Sequence, residues 1–360
     1  MLARIHGTVT LTGAMSLATL TQLAEFDTII DVRSPAEFTD DHIPCAVNCP
    51  VLDDAQRIQV GTLYKQVSPF AARKIGAVLV ARNIAQHIET HFAELPREWR
   101  PLVYCWRGGQ RSGAFTHILR EIGWQAKRLD GGYKTWRREV IDQLVVLPER
   151  FRFVVIAGQT GSAKSRVLEA LARRGAQVLH LEALALHKGS VLGNLPGQTQ
   201  PSQRAFESAL FAELSRFDTA RPVFVEAESR RIGTVHLPEA LTVAMRNASC
   251  CHVDATLSAR IDFLLTDYAY ALTDPGWLRE RLSHLRGMHS NETLVRWDTM
   301  VHSSEFAQLV SELLNLHYDP LYQRSQGTHY QNLMGRVTTD DLSPAGIELL
   351  ATQCLAHASR

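Results

Sequence analysis

The sequence lacks the features of a membrane, secreted or zinc-binding protein. It contains no run of about 18 uninterrupted apolar residues, the length that a membrane-spanning helix requires. Residues 1–6 (MLARIH) lack the apolar stretch of a secretory signal. The six cysteines form no C-x-x-C pair, and no Cys/His spacing is typical of a zinc site. We therefore expect a cytoplasmic protein with no membrane partner, no disulfide framework and no bound zinc.

Neither basic nor acidic residues are in clear excess. The chain has 38 basic and 37 acidic residues, which leaves a formal net charge of +1. This balance neither requires nor excludes a nucleic-acid partner, because a local basic face is enough to neutralise phosphates. The hydrophobic fraction of 45% is that of a globular protein. A length of 360 residues predicts two or three domains.

Short apolar runs alternate with amphipathic segments along most of the chain. Strands are predicted at 28–32, 101–105, 152–157, 177–181, 222–225 and 251–254, and helices at 112–122 and 164–174. This alternation predicts an α/β protein with parallel sheets that are covered on both faces. The predicted domain ranges are 12–138 for a first α/β domain, 139–150 for a connector helix, 151–320 for a second α/β domain and 321–360 for a helical extension.

Cys105 begins a loop (CWRGGQRS) that joins a predicted strand to a predicted helix. Such a loop directs backbone N–H groups and the positive end of the helix dipole at one point. With Arg107 and Arg111 nearby, this environment lowers a thiol pKa from about 8.5 to roughly 3.5–7.5, so we expect a thiolate at neutral pH. Gly108 and Gly109 would let the backbone approach the sulfur closely.

Two chemistries fit this loop. The spacing from Cys105 to Arg111 is that of a cysteine phosphatase, in which a thiolate attacks phosphorus, although Tyr104 stands where most such enzymes have histidine. The alternative is a chalcogen carrier, in which the thiolate holds sulfur or selenium as a persulfide or perselenide. Spacing alone does not separate the two.

A second loop, at 158–165 (GQTGSAKS), follows a strand and opens a helix, which is the context of a Walker A phosphate-binding loop. Lys164 would supply a positive charge and Ser165 could hold a metal ion. The candidate phosphate-binding residues are Gly158, Gly161, Ser162, Lys164 and Ser165. Ala163 departs from the pattern, which has glycine before the lysine. If that position needs a positive φ, the methyl group costs roughly 1 kcal/mol.

Polar residues further along the chain are candidates to complete the phosphate site. Glu226 follows the predicted strand 222–225 and could reach a metal ion through water, and Glu228 lies close to it. The glycine-containing stretch with His187, Lys188 and Ser190 is predicted to form a lid over the ligand.

Several segments of the first half resemble a rhodanese domain. They are DVRSPAEF at 31–38, HIP at 42–44, AVN at 46–48 and the Cys105 loop. In this likeness Asp31 and Arg33 are expected to brace the sheet end near the loop. The stretches 61–70 and 104–112 resemble, more narrowly, the rhodanese module of bacterial tRNA 2-selenouridine synthases.

The phosphate loop, the lid stretch and EAES at 226–229 are similar to the second half of the same family. The resemblance implies a rhodanese-like parallel-sheet domain followed by a P-loop NTPase-like α/β domain with a helical C-terminal part. Cys45 departs from it where the family usually has glycine, and His180 and Leu186 where it tends to carry aspartate and asparagine. We expect His180, at a strand end, to be a packed core residue.

The resemblance also implies a function. The substrate would be tRNA with 2-thiouridine at the wobble position, whose sulfur is replaced by selenium from selenophosphate through an S-geranyl intermediate made from geranyl diphosphate. Cys105 is implied to carry selenium and the P-loop to bind the diphosphate. Selenophosphate is implied to bind at Arg107, Gly108, Gly109, Gln110 and Arg111.

No tightly bound cofactor and no resident metal are expected. Selenophosphate and geranyl diphosphate would be co-substrates, Mg²⁺ is compatible with the site, and a selenophosphate-producing enzyme is a candidate partner. Two other functions stay open at this stage. One is a cysteine phosphatase fused to a kinase-like P-loop module, and the other is a non-catalytic tRNA-binding adaptor with a decayed P-loop, for which Ala163 is the argument.

Overall fold

The computed structural model describes residues 17–325, 330 and 332–358. The chain divides into two compact units between Asp142 and Gln143. Each unit is built on a five-stranded sheet, and all neighbouring strands of both sheets are parallel. This confirms the predicted fold class. No helix in the described ranges is both long and apolar enough to cross a membrane.

The sheet of the first unit has the order β1-β5-β4-β2-β3. Its strands are β1 Leu17–Ala18, β2 Thr28–Asp31, β3 Val47–Asn48, β4 Pro101–Tyr104 and β5 Lys127–Leu129. Its helices are α1 Pro35–Asp40, α2 Asp54–Gln66, α3 Pro69–His87, α4 Gln110–Ile122 and α5 Tyr133–Val146. Every residue of β4 is buried, as expected for the central strand of a covered parallel sheet. Its core packs Ile30 and Val103 of the sheet against Phe115 and Leu119 of α4.

The sheet of the second unit has the order β12-β11-β6-β8-β7. Its strands are β6 Phe153–Ala157, β7 Gln177–Leu179, β8 Val223–Glu226, β11 Ser249–Ala255 and β12 Leu333–Thr339, and a separate antiparallel hairpin joins β9 Arg231–Ile232 to β10 Val235–His236. The helices packed around them are α6 Lys164–Arg173, α7 Leu181–Ala185, α8 Gln203–Leu214, α9 Glu239–Asn247 and α16 Pro344–Ala358. Buried apolar residues of β6, β8 and β11 pack against α6 and α16.

A group of helices follows β11 and has its own small core. These helices are α10 Leu257–Asp267, α11 Ala269–Leu272, α12 Pro275–Ser283, α13 Asn291–His302, α14 Phe306–Leu313 and α15 Asp319–Ser325. Leu278, Leu282, Trp297 and Leu309 are buried together in this core.

Two segments differ from their expected structure. The helix expected at 139–150 begins at Tyr133 and ends at Val146, and a short 3-10 turn at Pro148–Arg150 follows it. The range 321–360 is not helical throughout, because β12 pairs with β11 at the edge of the second sheet. The proposed domain ranges otherwise stay a prediction, and residues 12–16, 326–329, 331, 359 and 360 lie outside the described residues.

Candidate functional site

The Cys105 loop lies at the carboxyl end of β4, where α4 begins. The Cys105 side chain is buried, and its Sγ lies 3.2 Å from Oγ of Ser112 and accepts a hydrogen bond from the backbone N–H of Gly109 at 3.2 Å. Burial by itself raises the pKa of this thiol. The hydrogen bonds from Ser112, the charge of Arg111 and the Gly109 N–H outweigh burial, so the pKa of Cys105 lies below its ordinary value.

The start of α5 holds the loop in shape. The N–H groups of Tyr133 and Lys134 donate to the carbonyls of Cys105 and Trp106, at 2.9 and 3.0 Å. A Cβ atom on Gly132 would lie 2.3 Å from the carbonyl oxygen of Cys105, so only glycine fits there. Sequence reasoning missed this role of Gly132.

The residues expected to bind selenophosphate differ from one another in exposure and in the contacts they make. Arg111 donates to Glu37 at 2.7 Å, so its guanidinium is already engaged by a carboxylate. Arg107 and Gln110 are exposed. Gly108 has φ 63°, and a Cβ atom there would lie 2.9 Å from the Leu129 carbonyl oxygen. Gly109 has open space around its Cα.

Asp31 and Arg33 form a fully buried ion pair at the carboxyl end of β2, with 2.6 Å between Arg33 Nη2 and Asp31 Oδ2. Arg33 also donates to the carbonyl of Asp41 at 2.6 Å. Its guanidinium lies 4.0 Å from the ring centroid of Tyr133. These contacts tie β2 to the start of α5.

The phosphate loop lies between β6 and α6 in the second unit. Ala163 has φ 59°, so the residue before the lysine is left-handed and carries the strain expected of a non-glycine residue. Lys164 Nζ donates to the carbonyls of Gly158 at 2.9 Å and Gln159 at 3.4 Å. A Cβ atom on Gly158 would lie 2.5 Å from Ser162 Oγ, so the loop is closed tightly over its own serine.

Three glutamates surround Lys164 and Ser165. Ser165 Oγ donates to the carboxylate of Glu182, and the backbone N–H of Glu182 donates to Glu226 at 2.8 Å. Burial and the neighbouring carboxylates raise the pKa of Glu182 and, more strongly, that of Glu228. Burial lowers the pKa of Lys164, although the same carboxylates oppose the shift. A polyanionic ligand would therefore need a proton or a cation to enter with it.

Glu226 is fully buried, and its Oε2 has no hydrogen-bond partner in the described part of the chain. His180 Nδ1 lies 3.3 Å from Glu226 Oε1. Burial alone would lower the pKa of His180, but the carboxylate of Glu226 raises it above its ordinary value. The expectation of a packed core histidine was wrong, because His180 faces this carboxylate group.

A cavity of about 390 Å³ opens in front of the phosphate loop. Seven of the predicted residues line it: Gly161, Lys164, Ser165, His187, Lys188, Ser190 and Glu228. Glu182, Asp267 and Tyr268 line it as well and were missed by sequence reasoning. Gly158, Ser162 and Glu226 were predicted too but are not among the residues that line it.

The predicted lid is held over this cavity by α10. Lys188 Nζ donates to Asp267 Oδ2 at 2.6 Å and lies 4.2 Å from the ring centroid of Tyr268. His187 is buried and accepts from the N–H of Gly189 at 3.1 Å. A buried arginine of α10, Arg260, braces the phosphate loop by donating to the carbonyl of Thr160 at 2.8 Å.

An apolar cavity of about 50 Å³ adjoins the phosphate cavity. The two share Thr160, Ser190, Leu264 and Tyr268 in their walls. Beyond these residues the smaller cavity is lined by aliphatic and aromatic side chains of α11, α12 and α14, among them Leu272, Leu278, Phe306, Leu309 and Val310. The second unit thus places a polar cavity, lined by both lysines and carboxylates, next to an apolar one.

No group of three His, Cys, Asp or Glu residues in the described ranges is arranged as a metal site. The side-chain oxygens of Ser165, Glu182 and Glu226 nevertheless fit Mg²⁺, which is usually held by one or two carboxylates together with substrate phosphates. The unpartnered Oε2 of Glu226 is the observation that supports this fit.

Comparison with known proteins matches each of the two units to a protein family. Family models match at residues 16–139 (rhodanese-like domain) and 151–280 (tRNA 2-selenouridine synthase AAA domain). The tRNA 2-selenouridine synthase of Nitrosomonas europaea is 38% identical over 71% of this chain and 67% of its own length. That of Aeromonas salmonicida is 32% identical over 86% of this chain and 90% of its own. The chain therefore belongs to the tRNA 2-selenouridine synthase family.

Proposed function

We propose that this chain replaces the sulfur of wobble 2-thiouridine in tRNA by selenium from selenophosphate, through an S-geranyl intermediate made from geranyl diphosphate. The assignment of tRNA modification to this chain rests on its membership of the family. The co-substrates are those that the family resemblance implies, and the chemistry of the two sites, one in each unit, is compatible with them. A cytoplasmic location and a selenophosphate-producing enzyme as partner stay predictions.

The observation that carries the geranyl diphosphate proposal is the shared wall of the two cavities. Lys164 and the phosphate loop suit a diphosphate, and the adjoining lining of Leu278, Phe306 and Leu309 suits a hydrocarbon chain. A nucleotide base would meet few hydrogen-bonding groups there. A cavity of about 150 Å³ holds benzene, so a space of about 50 Å³ must widen when a ten-carbon chain enters.

The first step is alkylation of the tRNA. The sulfur of 2-thiouridine attacks C1 of the geranyl group, the C1–O bond breaks, and diphosphate leaves with the electron pair while the base loses its N3 proton. Lys164 and the backbone N–H groups of the loop stabilise the charge that develops on the diphosphate. Mg²⁺ held by Ser165 and the nearby glutamates would neutralise the remaining charge.

The second step exchanges the chalcogen. Alkylated sulfur is a better leaving group than a thiocarbonyl sulfur, so selenium can add to C2 while the geranyl thiol departs. The Cys105 thiolate, kept available by its lowered pKa, attacks the phosphorus of selenophosphate, the P–Se bond breaks, and the selenide leaves to add to C2. Water then cleaves the S–P bond, releases phosphate and restores the thiol.

Two single variants test this division of labour. Cys105→Ala should abolish 2-selenouridine but leave S-geranyl-2-thiouridine formation intact, whereas Lys164→Ala should reduce geranylation by at least tenfold, as expected for losing a charged contact to the leaving group. The products are measured by mass spectrometry of nucleosides from 2-thiouridine tRNA. EDTA should suppress geranylation if Mg²⁺ enters with the diphosphate.

The matched controls are Cys45→Ala, at an exposed cysteine of the first unit, and Arg173→Ala, at the far end of α6. Both should behave as wild type. If the Cys105 and Lys164 variants lose the same partial reaction, the division between the units is wrong. Cys105-dependent hydrolysis of an aryl phosphate without tRNA products would indicate a phosphatase, and no product from the wild type would indicate an adaptor.

A further inference from the structure

The first unit carries a helical hairpin of which few residues are buried. Helices α2 and α3, joined by Val67 and Ser68, form this feature, here called hairpin 54–87. The two helices approach each other at Gly76, where a Cβ atom would touch the Val60 side chain at 3.4 Å. Only Ala72, Gly76 and Ile84 of α3 are buried, and no residue of α2 is. Most of the hairpin surface is therefore free to bind a partner.

Large side chains are exposed at the tip of the hairpin. Tyr64 is 54% exposed, Val67 68% and Phe70 68%. Lys74 Nζ lies 5.1 Å from the ring centroid of Phe70. Exposed aromatic rings with cations beside them are the means by which proteins stack on unpaired bases and contact the neighbouring phosphates.

The hairpin is also the basic part of a nearly neutral chain. It contains five basic residues, Arg57, Lys65, Arg73, Lys74 and Arg82, and a single acidic residue, Asp54. Asp54 lies at the base, where its carboxylate accepts from the backbone N–H of Ala36 at 3.1 Å. The net charge of the hairpin is thus strongly positive although that of the whole chain is +1. This charge is complementary to a polyanion.

The base of the hairpin lies beside the Cys105 loop. Arg111 of that loop pairs with Glu37 at 2.7 Å, and Arg57 in the first turns of α2 lies 3.9 Å from the same carboxylate. From Arg57 to its end at Gln66, α2 extends about 14 Å towards the tip. A bound strand could therefore contact the tip while one of its bases reaches towards the thiolate.

We propose that hairpin 54–87 is a docking surface for the tRNA, which stacks unpaired bases on Tyr64 and Phe70 and places phosphates against Lys65, Arg73 and Lys74. This inference rests on the proposed function for the identity of the nucleic acid. An apolar protein partner would not require the one-sided charge, and the hairpin's position beside the Cys105 loop favours the nucleic acid over a lipid surface.

The test separates charge from stacking. The variant Lys65→Gln/Arg73→Gln/Lys74→Gln should bind 2-thiouridine tRNA more weakly and reduce the slope of log K against log salt by about 2–3. The variant Tyr64→Ala/Phe70→Ala should weaken binding by about tenfold or more and leave that slope unchanged. Dissociation constants are measured by fluorescence anisotropy over a series of salt concentrations.

The matched control is Arg97→Gln/Arg120→Gln/Arg138→Gln, which removes three exposed charges of the same unit outside the hairpin. It should retain wild-type affinity, and alkylation of Cys105 at the wild-type rate verifies folding in every variant. The inference is overturned if the wild type binds no tRNA, or if either hairpin variant binds tRNA as well as the control does. The inference is also overturned if the hairpin variants lose self-association or binding to anionic vesicles while their affinity for tRNA is unchanged.

These outcomes separate the inference from the proposed function. Hairpin-dependent tRNA binding by a wild type that makes no modified nucleoside supports the docking surface and refutes the proposed reaction. Normal modification by both hairpin variants, with unchanged affinity, refutes the docking surface alone.

Discussion

Three residues at which this chain departs from its family share one backbone conformation. Cys45, Ala163 and Leu186 have φ angles of 66°, 59° and 49°. Left-handed backbone costs a non-glycine residue about 1–2 kcal/mol, whereas glycine adopts it freely and asparagine tolerates it. The glycine or asparagine that the family resemblance implies at these positions is thus the residue that the local geometry favours. Each departure stores strain, and at Ala163 that strain lies directly beside Lys164.

Ala163→Gly should change the free energy of unfolding by less than about 1 kcal/mol and leave geranylation intact. Relief of the left-handed strain, about 1 kcal/mol, is offset by loss of a buried methyl group, about 0.8 kcal/mol. Ala172→Gly, at an exposed right-handed position of α6, is the matched control and should cost up to about 1 kcal/mol. Thermal unfolding measures both. A large loss of activity in Ala163→Gly would mean that the loop does not bind phosphate.

At the scale of elements, β4, the Cys105 loop and α4 together set the pKa of the Cys105 thiol. The N-terminus of α4 supplies both the Gly109 N–H and the Ser112 hydroxyl that contact Sγ, and the 13-residue helix adds its dipole. The lowered pKa of Cys105 follows from this arrangement, in spite of burial. Arg111 acts on the thiol through its charge while its guanidinium is bonded to Glu37.

Ser112→Ala should raise the pKa of Cys105, because a hydrogen bond to the thiolate is lost. The thiolate exists above the pKa, so a higher pKa leaves less of it at neutral pH. We expect the rate of alkylation by iodoacetamide to fall roughly tenfold at pH 7, as for one hydrogen bond to a charged group of about 1.5 kcal/mol, and to approach the wild-type rate at high pH. Thr116→Val removes a buried hydroxyl one turn further along α4 and should leave the pH profile unchanged. If the alkylation rates of Ser112→Ala and Thr116→Val depend on pH in the same way, Ser112 does not have the proposed role.

Elements with local signals were predictable, and residues assembled by the sheet were not. The strand and helix around the phosphate loop were expected at 152–157 and 164–174 and are observed at Phe153–Ala157 and Lys164–Arg173. Glu182 reaches the loop only because β7 neighbours β8, which neighbours β6, so that their carboxyl ends share an edge. An acidic residue just after a strand was the available signal. Arg260 has no such signal, since it acts from a helix about 100 residues away.

At the scale of the whole molecule, each unit contains the groups for one half of the proposed reaction. The thiolate, its hydrogen-bond donors and the basic hairpin belong to the first unit. The phosphate loop, the glutamates and the apolar cavity belong to the second. The described residues of each half-site come from a single unit, so we expect a defect in one unit to leave the chemistry of the other unit intact.

A mixture of the Cys105→Ala and Lys164→Ala proteins should therefore form 2-selenouridine although neither protein does so efficiently alone. The first would release S-geranyl tRNA, and the second would bind it and exchange the geranyl sulfur for selenium. The double variant Cys105→Ala/Lys164→Ala, mixed with either single variant at the same total protein, is the control and should restore nothing. Nucleoside mass spectrometry measures the product. Should Lys164→Ala fail even with purified S-geranyl tRNA, Lys164 must also take part in the selenium step. If Lys164→Ala converts purified S-geranyl tRNA but the mixture forms no 2-selenouridine, the Cys105→Ala protein does not release the intermediate. The two half-reactions are then coupled because the enzyme retains the tRNA between them.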